Sequence, residues 1–292
     1  MNLISWHCRN RVIKFTTKQC LIMGILNITP DSFYDGGRFF KDKDAQKRVE
    51  ELIEEGTDII DIGGESTRPG SKPISAQEEL TRILPLVKFI DKLNVKKILV
   101  SIDTYKSQVL QECLAYNIHI ANNIYALRKI YENKIIDDER YTDIVREANL
   151  GIVLMHMQGT PLTMQLAPRY KNVVREIKDF FSARFRYIKK KGIKRENVII
   201  DPGIGFGKLY KHNIQILKNL RKFKKFRRPI MIGVSRKSFI GRMLDLDNPE
   251  DRLFGSLGVS LASILNGVNI LRVHDVKETK QIIEAFRSIY EF

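Results

Sequence analysis

Cysteine is scarce. The chain has 3 in 292 residues, and Cys8, Cys20 and Cys113 are too scattered for a disulfide framework. No CxxC pair occurs, so a zinc knuckle is also unsupported. Both absences suit a reducing compartment. No run of about 18 apolar residues occurs, so no segment is expected to span a membrane. The first apolar stretch is broken by His7, Arg9, Asn10 and Arg11, which leaves no signal-peptide core, and a cytoplasmic protein is expected. Linkers, repeats and low-complexity segments are missing too, so residues 1–292 are read as one domain. Negative charge is in short supply: 34 Asp+Glu against 50 Lys+Arg leave a formal net charge of +16. That balance excludes an acidic, solvating chain and raises the question of an anionic partner, nucleic acid included. A basic surface that follows from composition alone is the competing explanation.

Two nucleotide signatures are absent as well. In Gly203-Ile204-Gly205-Phe206-Gly207-Lys208 only three residues separate Gly203 from Gly207, and Leu209 follows the lysine. A P-loop needs four residues there and Ser/Thr after the lysine, and the dinucleotide-binding GxGxxG is not matched either. No HxxxH or carboxylate-rich cluster marks an all-protein metal cage. His156, between Met155 and Met157, suits packing better than metal ligation. No Ser-His or Cys-His arrangement suggests a side-chain nucleophile.

What is present is an alternation. Short apolar runs lie at 20–26, 58–62, 98–102, 118–121, 151–155, 197–200, 229–234 and 269–273. They are rich in Ile and Val and do not alternate with polar residues, as expected of strands buried on both faces of a parallel sheet. Between them lie amphipathic stretches with one apolar face each: Ala45, Val49, Leu52 and Ile53; Leu80, Ile83, Leu84 and Val87; Ile282, Ile283, Phe286 and Ile289. Ser75 with Glu78 predicts a capping box at the start of the second helix. Eight strand–helix pairs predict an α/β fold, a (β/α)8 TIM barrel, with a doubly wound sheet as the alternative. Residues 1–19 are expected to form a short hairpin that closes the barrel floor. The stretch 128–140 is not diagnostic.

Barrel chemistry sits in the loops after the strands. Those positions hold Asn27; Glu65, Thr67 and Arg68; Asp103; Asn122 and Asn123; His156 and Gln158; Asp201; Ser235, Arg236 and Lys237; and Arg272, His274 and Asp275. The cations after strands two, seven and eight suit phosphate oxygens, with a merely solvated rim as the alternative. Asp103 and Asp201, with the Asn122 amide, suit a flat heterocycle that donates N–H groups. Each aspartate alone also suits a helix cap. The glycines at 36–37, 63–64 and 203–207 are read as close backbone approach to a ligand. A Mg²⁺ ion held mainly by substrate phosphate fits such a site.

Seven segments, MGILNITPDSFYDGGRF (23–39), IDIGGESTRPGS (60–71), SIDTYK (101–106), LMHMQGTP (154–161), IDPGIGFGK (200–208), GVSRKSFIG (233–241) and LRVHDV (271–276), run in order from strand one to strand eight. Together they resemble the dihydropteroate synthase family of folate biosynthesis, over essentially the whole chain beyond residue 20. The resemblance implies a transferase. It would condense 6-hydroxymethyl-7,8-dihydropterin diphosphate with p-aminobenzoate, giving 7,8-dihydropteroate and pyrophosphate, with Mg²⁺ as cofactor and a homodimer. It places the pterin among Asp103, Asn122, Asp201 and Lys237, with Arg272 stacked over it. The diphosphate falls to Asn27, Arg68, Arg272 and His274, with Asn27 near the metal. The p-aminobenzoate falls to Thr67, Pro69, Phe206 and Ser235, under mobile loops at 28–40 and 64–74. One departure stands out: the family usually has Asn-Asp after strand four, where this chain has Asn122-Asn123. A corrinoid-linked pterin methyl-transfer domain shares the barrel, but it has no need of ESTRPGS or SRKSF. A nucleic-acid binder would rest on the basic stretches 184–195 and 218–228, both assigned to outer helices, and no nucleic-acid partner is expected.

Overall fold

The structure, a computed structural model, describes residues 4–16, 19–29, 38–132 and 134–290, with side chains in the first helix from Lys43 onward. Eight strands form the wall: β3 (Leu21–Asn27), β4 (Ile59–Gly63), β5 (Leu99–Asp103), β6 (Ile120–Asn123), β9 (Gly151–Met155), β10 (Val198–Asp201), β11 (Met231–Ile232) and β12 (Ile270–Val273). Every pair is parallel, in the order β10-β9-β6-β5-β4-β3-β12-β11. A parallel bridge between Ile200 and Ile230 joins the two ends of that order. The (β/α)8 TIM barrel is therefore the observed fold, and the doubly wound alternative falls away.

The outer layer consists of α1 (Arg38–Glu54), α2 (Ala76–Leu93), α3 (Ser107–Cys113), α4 (Glu139–Glu147), α5 (Val173–Lys190), α6 (Tyr210–Lys218), α7 (Ser238–Leu244), α8 (Leu253–Leu265) and α9 (Val276–Tyr290). Ser75 caps α2, its hydroxyl accepting from the Glu78 amide at 3.1 Å, but the Glu78 side chain pairs with Arg82, so only half of the expected capping box is present. The apolar faces of α1 and α2 pack inward. In α9, Ile283 and Phe286 do so, while Ile289 in the last turn is 67% exposed.

Two further elements frame the barrel. The N-terminal hairpin, β1 (Ile4–Cys8) paired with β2 (Arg11–Phe15), plugs the floor. Its Trp6, Cys8 and Phe15 pack with Leu21, Met23, Ile59, Leu99, Ile120, Val153, Ile199, Met231 and Ile270, one or two inward residues per strand. The Trp6 indole N–H donates to the Asn197 carbonyl at 2.8 Å. Gly151 lets the plug sit flush, because a Cβ there would lie 2.6 Å from Cys8 Sγ. The undiagnostic stretch after β6 forms a second hairpin, β7 (Arg128–Tyr131) with β8 (Lys134–Asp137), before α4. Strand seven is shorter than its apolar run: Pro229 has no N–H for the ladder, and the chain turns away through Arg236 at φ +56°.

The basic stretches are partly structural. Arg184 is buried and pairs with Asp137 at 2.5 Å. Arg228 is buried and donates to carbonyls of Val198, Glu196 and Ser5. Leu220, Phe223 and Phe226 point into the core between the neighbouring lysines. Among the described residues no helix is long and apolar enough to cross a membrane.

Candidate active site

An apolar plug fills the lower barrel, and the inward residues one layer higher lie toward the C-terminal mouth. There the residue type changes. Ile59 points inward, so by strand alternation Asp61 and Gly63 do too, and likewise Ser101 and Asp103 above Leu99. Asn122 above Ile120, Asp201 above Ile199 and Arg272 above Ile270 complete the layer.

These residues meet. The Arg272 guanidinium spans two carboxylates, with Nε 2.6 Å from Asp61 Oδ2 and Nη2 2.7 Å from Asp103 Oδ2. Burial opposes its charge, yet Asp61 and Asp103 hold its pKa above the ordinary arginine value. The Asn122 amide donates to Asp61 Oδ2 at 3.1 Å. Burial pushes the Asp103 carboxyl well above the usual range; Arg272 pulls it back, and Asp61, Glu79 and Glu65 push it further up. Burial likewise raises Asp201, whose Oδ1 accepts from the Gly203 amide at 2.7 Å. The helix-cap alternative fails for Asp103, because Lys106 occupies the N-cap of α3. Asp201 caps a loop, not a helix.

Lys237 reaches in from the loop after β11. Its Nζ donates to the Ile204 carbonyl and lies 4.6 Å from the centroid of the Phe206 ring. Burial lowers its pKa to about 8, with Asp201 opposing and Arg272 adding to the effect. Asn27 ends β3 beside Gly63, its Oδ1 facing that glycine. Ser235 Oγ lies 3.0 Å from His274 Nδ1.

The 64–74 loop carries Thr67, Arg68 and Pro69 and is tied at both ends. At its base, Glu65 accepts from Tyr105 Oη at 2.9 Å and from Lys106, which also pairs with Glu79 at 2.5 Å. At its tip, the Gly70 amide donates to the Pro161 carbonyl at 2.9 Å. Gln165, from the same segment as Pro161, donates to the Gly205 carbonyl at 2.7 Å. Three rim loops are thereby linked in series, with Arg68 exposed at the edge. Residues 30–37 lie outside the described residues, and the expectation for a 28–40 loop falls largely there.

A family model for pterin binding enzymes matches residues 23–274. The dihydropteroate synthase of Escherichia coli (strain K12) is 41% identical over 268 residues, covering 92% of this chain and 90% of its own. The chain belongs to the dihydropteroate synthase family. The Xanthomonas albilineans family member solved with 4-aminobenzoic acid superimposes with a TM-score of 0.89 at 33% identity, over 100% of both chains. The same organism's enzyme in complex with 7,8-dihydropteroate gives a TM-score of 0.85 at 32% identity, over 99% of both chains.

Arg272 bridges the carboxylates of the site floor. Within this family framework, three sequence expectations change. His274 is no added cation, since burial and then Arg272 lower its pKa to about 4 and leave it neutral at pH 7. Arg236 is no open phosphate ligand either. It holds Asp275 through two bonds, at 3.0 and 2.5 Å. The glycines of the 203–207 loop serve backbone packing against protein. At φ +69°, Gly203 would put a Cβ 2.0 Å from the His156 carbonyl oxygen, and at φ +62° Gly207 would put one 2.2 Å from that of Gln158. His156 is a packing residue, its ring edge-on to Phe180 with centroids 5.0 Å apart.

At the Asn123 departure, Oδ1 accepts from the Tyr125 amide at 2.7 Å, a role that the family's aspartate would fill equally, while the buried Nδ2 has no partner among the described residues. Two site residues escaped the sequence reading. In the strand body DIIDI, Asp61 is a carboxylate inside an apolar run, and such groups are buried only when paired. Lys208 ends the glycine-rich stretch that fails as a P-loop.

Proposed function

We propose that this chain condenses 6-hydroxymethyl-7,8-dihydropterin diphosphate with p-aminobenzoate, giving 7,8-dihydropteroate and pyrophosphate. The observation that carries this reading is the floor of Asp61, Asp103, Asn122, Asp201 and Lys237 at the barrel mouth. Asp61 Oδ1 is a buried acceptor with no donor among the described residues, as suits a ligand rich in N–H groups. Asp103, Asn122, Asp201 and Lys237 would grip the pterin edge, and Arg272 would balance the carboxylates. Arg68, Asn27 and the His274–Ser235 pair would face the diphosphate. Thr67, Pro69, Phe206 and Ser235 would line the arylamine pocket.

The chemistry needs no protein nucleophile. The C–O bond to the diphosphate breaks with its electron pair on oxygen, and the carbon left behind is stabilised by the electron-rich pterin. The arylamine nitrogen attacks that carbon and then loses a proton. The protein positions both partners and neutralises charge on the leaving group. Burial pushes all three cysteine thiols up in pKa, so none is poised to intervene. Those three thiols are free, which fits a cytoplasmic location.

Among the described residues no group of three or more His, Cys, Asp or Glu is placed to hold a metal. Asn27 would help to hold a Mg²⁺ ion bound mainly by substrate oxygens. When bound, the ion supplies charge neutralisation on the diphosphate.

The direct test is purified protein with Mg²⁺ and both substrates. Dihydropteroate should accumulate, and no product above a buffer blank would refute the reading. A second expected result concerns pH. Lys237 is cationic below its pKa of about 8 and loses its charge above it. The kcat/KM for the pterin diphosphate should therefore hold below that pH and fall as pH rises through it. Lys237→Arg should move the falling limb above about pH 10, since arginine does not deprotonate there. An unchanged limb would mean that another group titrates.

We further propose that α8 forms the homodimer face. Its inward side carries buried Ser256, Ser260 and Ser263, and two of these hydroxyls bond back to backbone carbonyls four residues earlier at 2.7 Å. Its outward side is apolar, with Phe254 82% and Leu265 46% exposed, and Leu244 of α7 is exposed as well. Apolar surface facing out and polar surface facing in suits a self-complementary contact with a second copy. Phe254→Glu should sediment as a monomer at concentrations where the parent sediments as a dimer. A monomeric parent, or a dimeric variant, would remove α8 from the interface.

A further inference from the structure

Lys208 is 2% exposed and follows the site loop directly. Its Nζ lies 3.1 Å from His156 Nδ1, 3.2 Å from the His156 carbonyl and 2.9 Å from the Phe206 carbonyl. The amine donates to the two carbonyls, and the His156 ring nitrogen completes its set of polar neighbours. It forms no salt bridge among the described residues. Burial lowers its pKa well below the ordinary lysine value, and a buried amine is costly unless hydrogen-bonded, so a merely packing role would be served better by an apolar side chain.

The contacts show where that cost is spent. Lys208 ties the Phe206 backbone to the end of β9. The other loop groups have their own partners. Gly203 N binds Asp201, Gly205 N binds Asn213 at 2.8 Å, Gly205 O binds Gln165, and Gly207 O accepts from Tyr170 Oη at 2.8 Å. The pterin side of the loop is thus anchored by Asp201, and the Phe206 side by Lys208.

We propose that Lys208 is a positioning residue for the arylamine substrate, fixing the Phe206 wall of its pocket through the Phe206 and His156 carbonyls without touching either substrate. The inference rests on the reading that Phe206 lines that pocket. Losing a clamp of this kind should act on one substrate more than the other.

The test is steady-state kinetics on Lys208→Met, which keeps the stem and removes the donors. The KM for p-aminobenzoate should rise about 10-fold, the size of one or two lost hydrogen bonds. The KM for the pterin diphosphate and the kcat at saturation should stay within about 3-fold. Tyr170→Phe and Gln165→Ala, on a part-buried and an exposed side chain, remove neighbouring ties to the same loop and should raise the arylamine KM in the same direction by about 2–3-fold. They carry the test alone if the methionine variant does not fold. An unchanged arylamine KM in all variants that fold, or a parallel loss of both KM values and kcat, would overturn the assignment. A parent enzyme that makes no dihydropteroate would instead refute the functional reading itself.

Discussion

Alanine at Asp201 or at Lys237 is expected to lower kcat/KM for the pterin diphosphate by about 10³-fold, the size of losing one preorganised polar contact in a water-excluded site. Melting temperatures should fall only slightly. Neither side chain supports the apolar core. Asp201 holds one loop amide at 2.7 Å and Lys237 one loop carbonyl. Asp201→Asn separates the two roles, because it keeps an acceptor for Gly203 and removes the charge that faces Lys237. If charge matters, asparagine should fall close to alanine in rate and close to the parent in stability. Near-normal turnover by either alanine variant, measured on folded protein, would refute the pocket assignment.

Asp61→Ala should do something different, lowering stability and activity together. Asp61 is fully buried and accepts from both Arg272 and Asn122. Removing it leaves a buried guanidinium with one carboxylate in place of two and a buried amide without its acceptor. Breaking a buried pair in this way costs about 3–5 kcal/mol, and at about 2–4 °C per kcal/mol the melting temperature should fall by roughly 10 °C. Pterin binding should be lost as well, since Arg272 would be free to rotate away from Asp103. Asp61→Asn should recover part of the stability by restoring an acceptor. A melting temperature within about 2 °C of the parent in the alanine variant would show that Arg272 finds another partner.

How much of this was legible from residues alone differs by kind. The apolar run at 151–155 coincides with β9, and the run at 98–102 is displaced from β5 by a single residue. Two-faced burial writes itself into composition strand by strand. The hairpin plug was expected at the floor, although its fit depends on Gly151 meeting Cys8 across the fold. The 128–137 hairpin was not legible: Arg128-Lys129-Ile130-Tyr131 lacks a buried face, with Ile130 and Tyr131 both exposed. Helix α8 would have misled any pattern-based assignment of inside and outside, because Ser256 and Ser263 bond back to their own helix.

At the site, the polar residues at the strand ends were legible as a class, because loops after barrel strands are where chemistry can gather. Their charge states were not. His274 has an ordinary histidine's promise of positive charge until burial beside Arg272 removes it. Arg236 has the same promise until Asp275 takes it up.

The net charge of +16 therefore divides only in three dimensions. Some cations, such as Arg228, brace the barrel, and Lys237 and Arg272 face the mouth. Sequence by itself determined the order of the eight barrel strands, the barrel and the candidate residues around its mouth, since each follows from local period, composition or motif. Tertiary structure alone decided that Arg272 joins Asp61 to Asp103 and that Lys208 clamps Phe206 to β9. Pairing and burial are properties of residues far apart in the chain, and Asp61 and Arg272 meet across 211 positions.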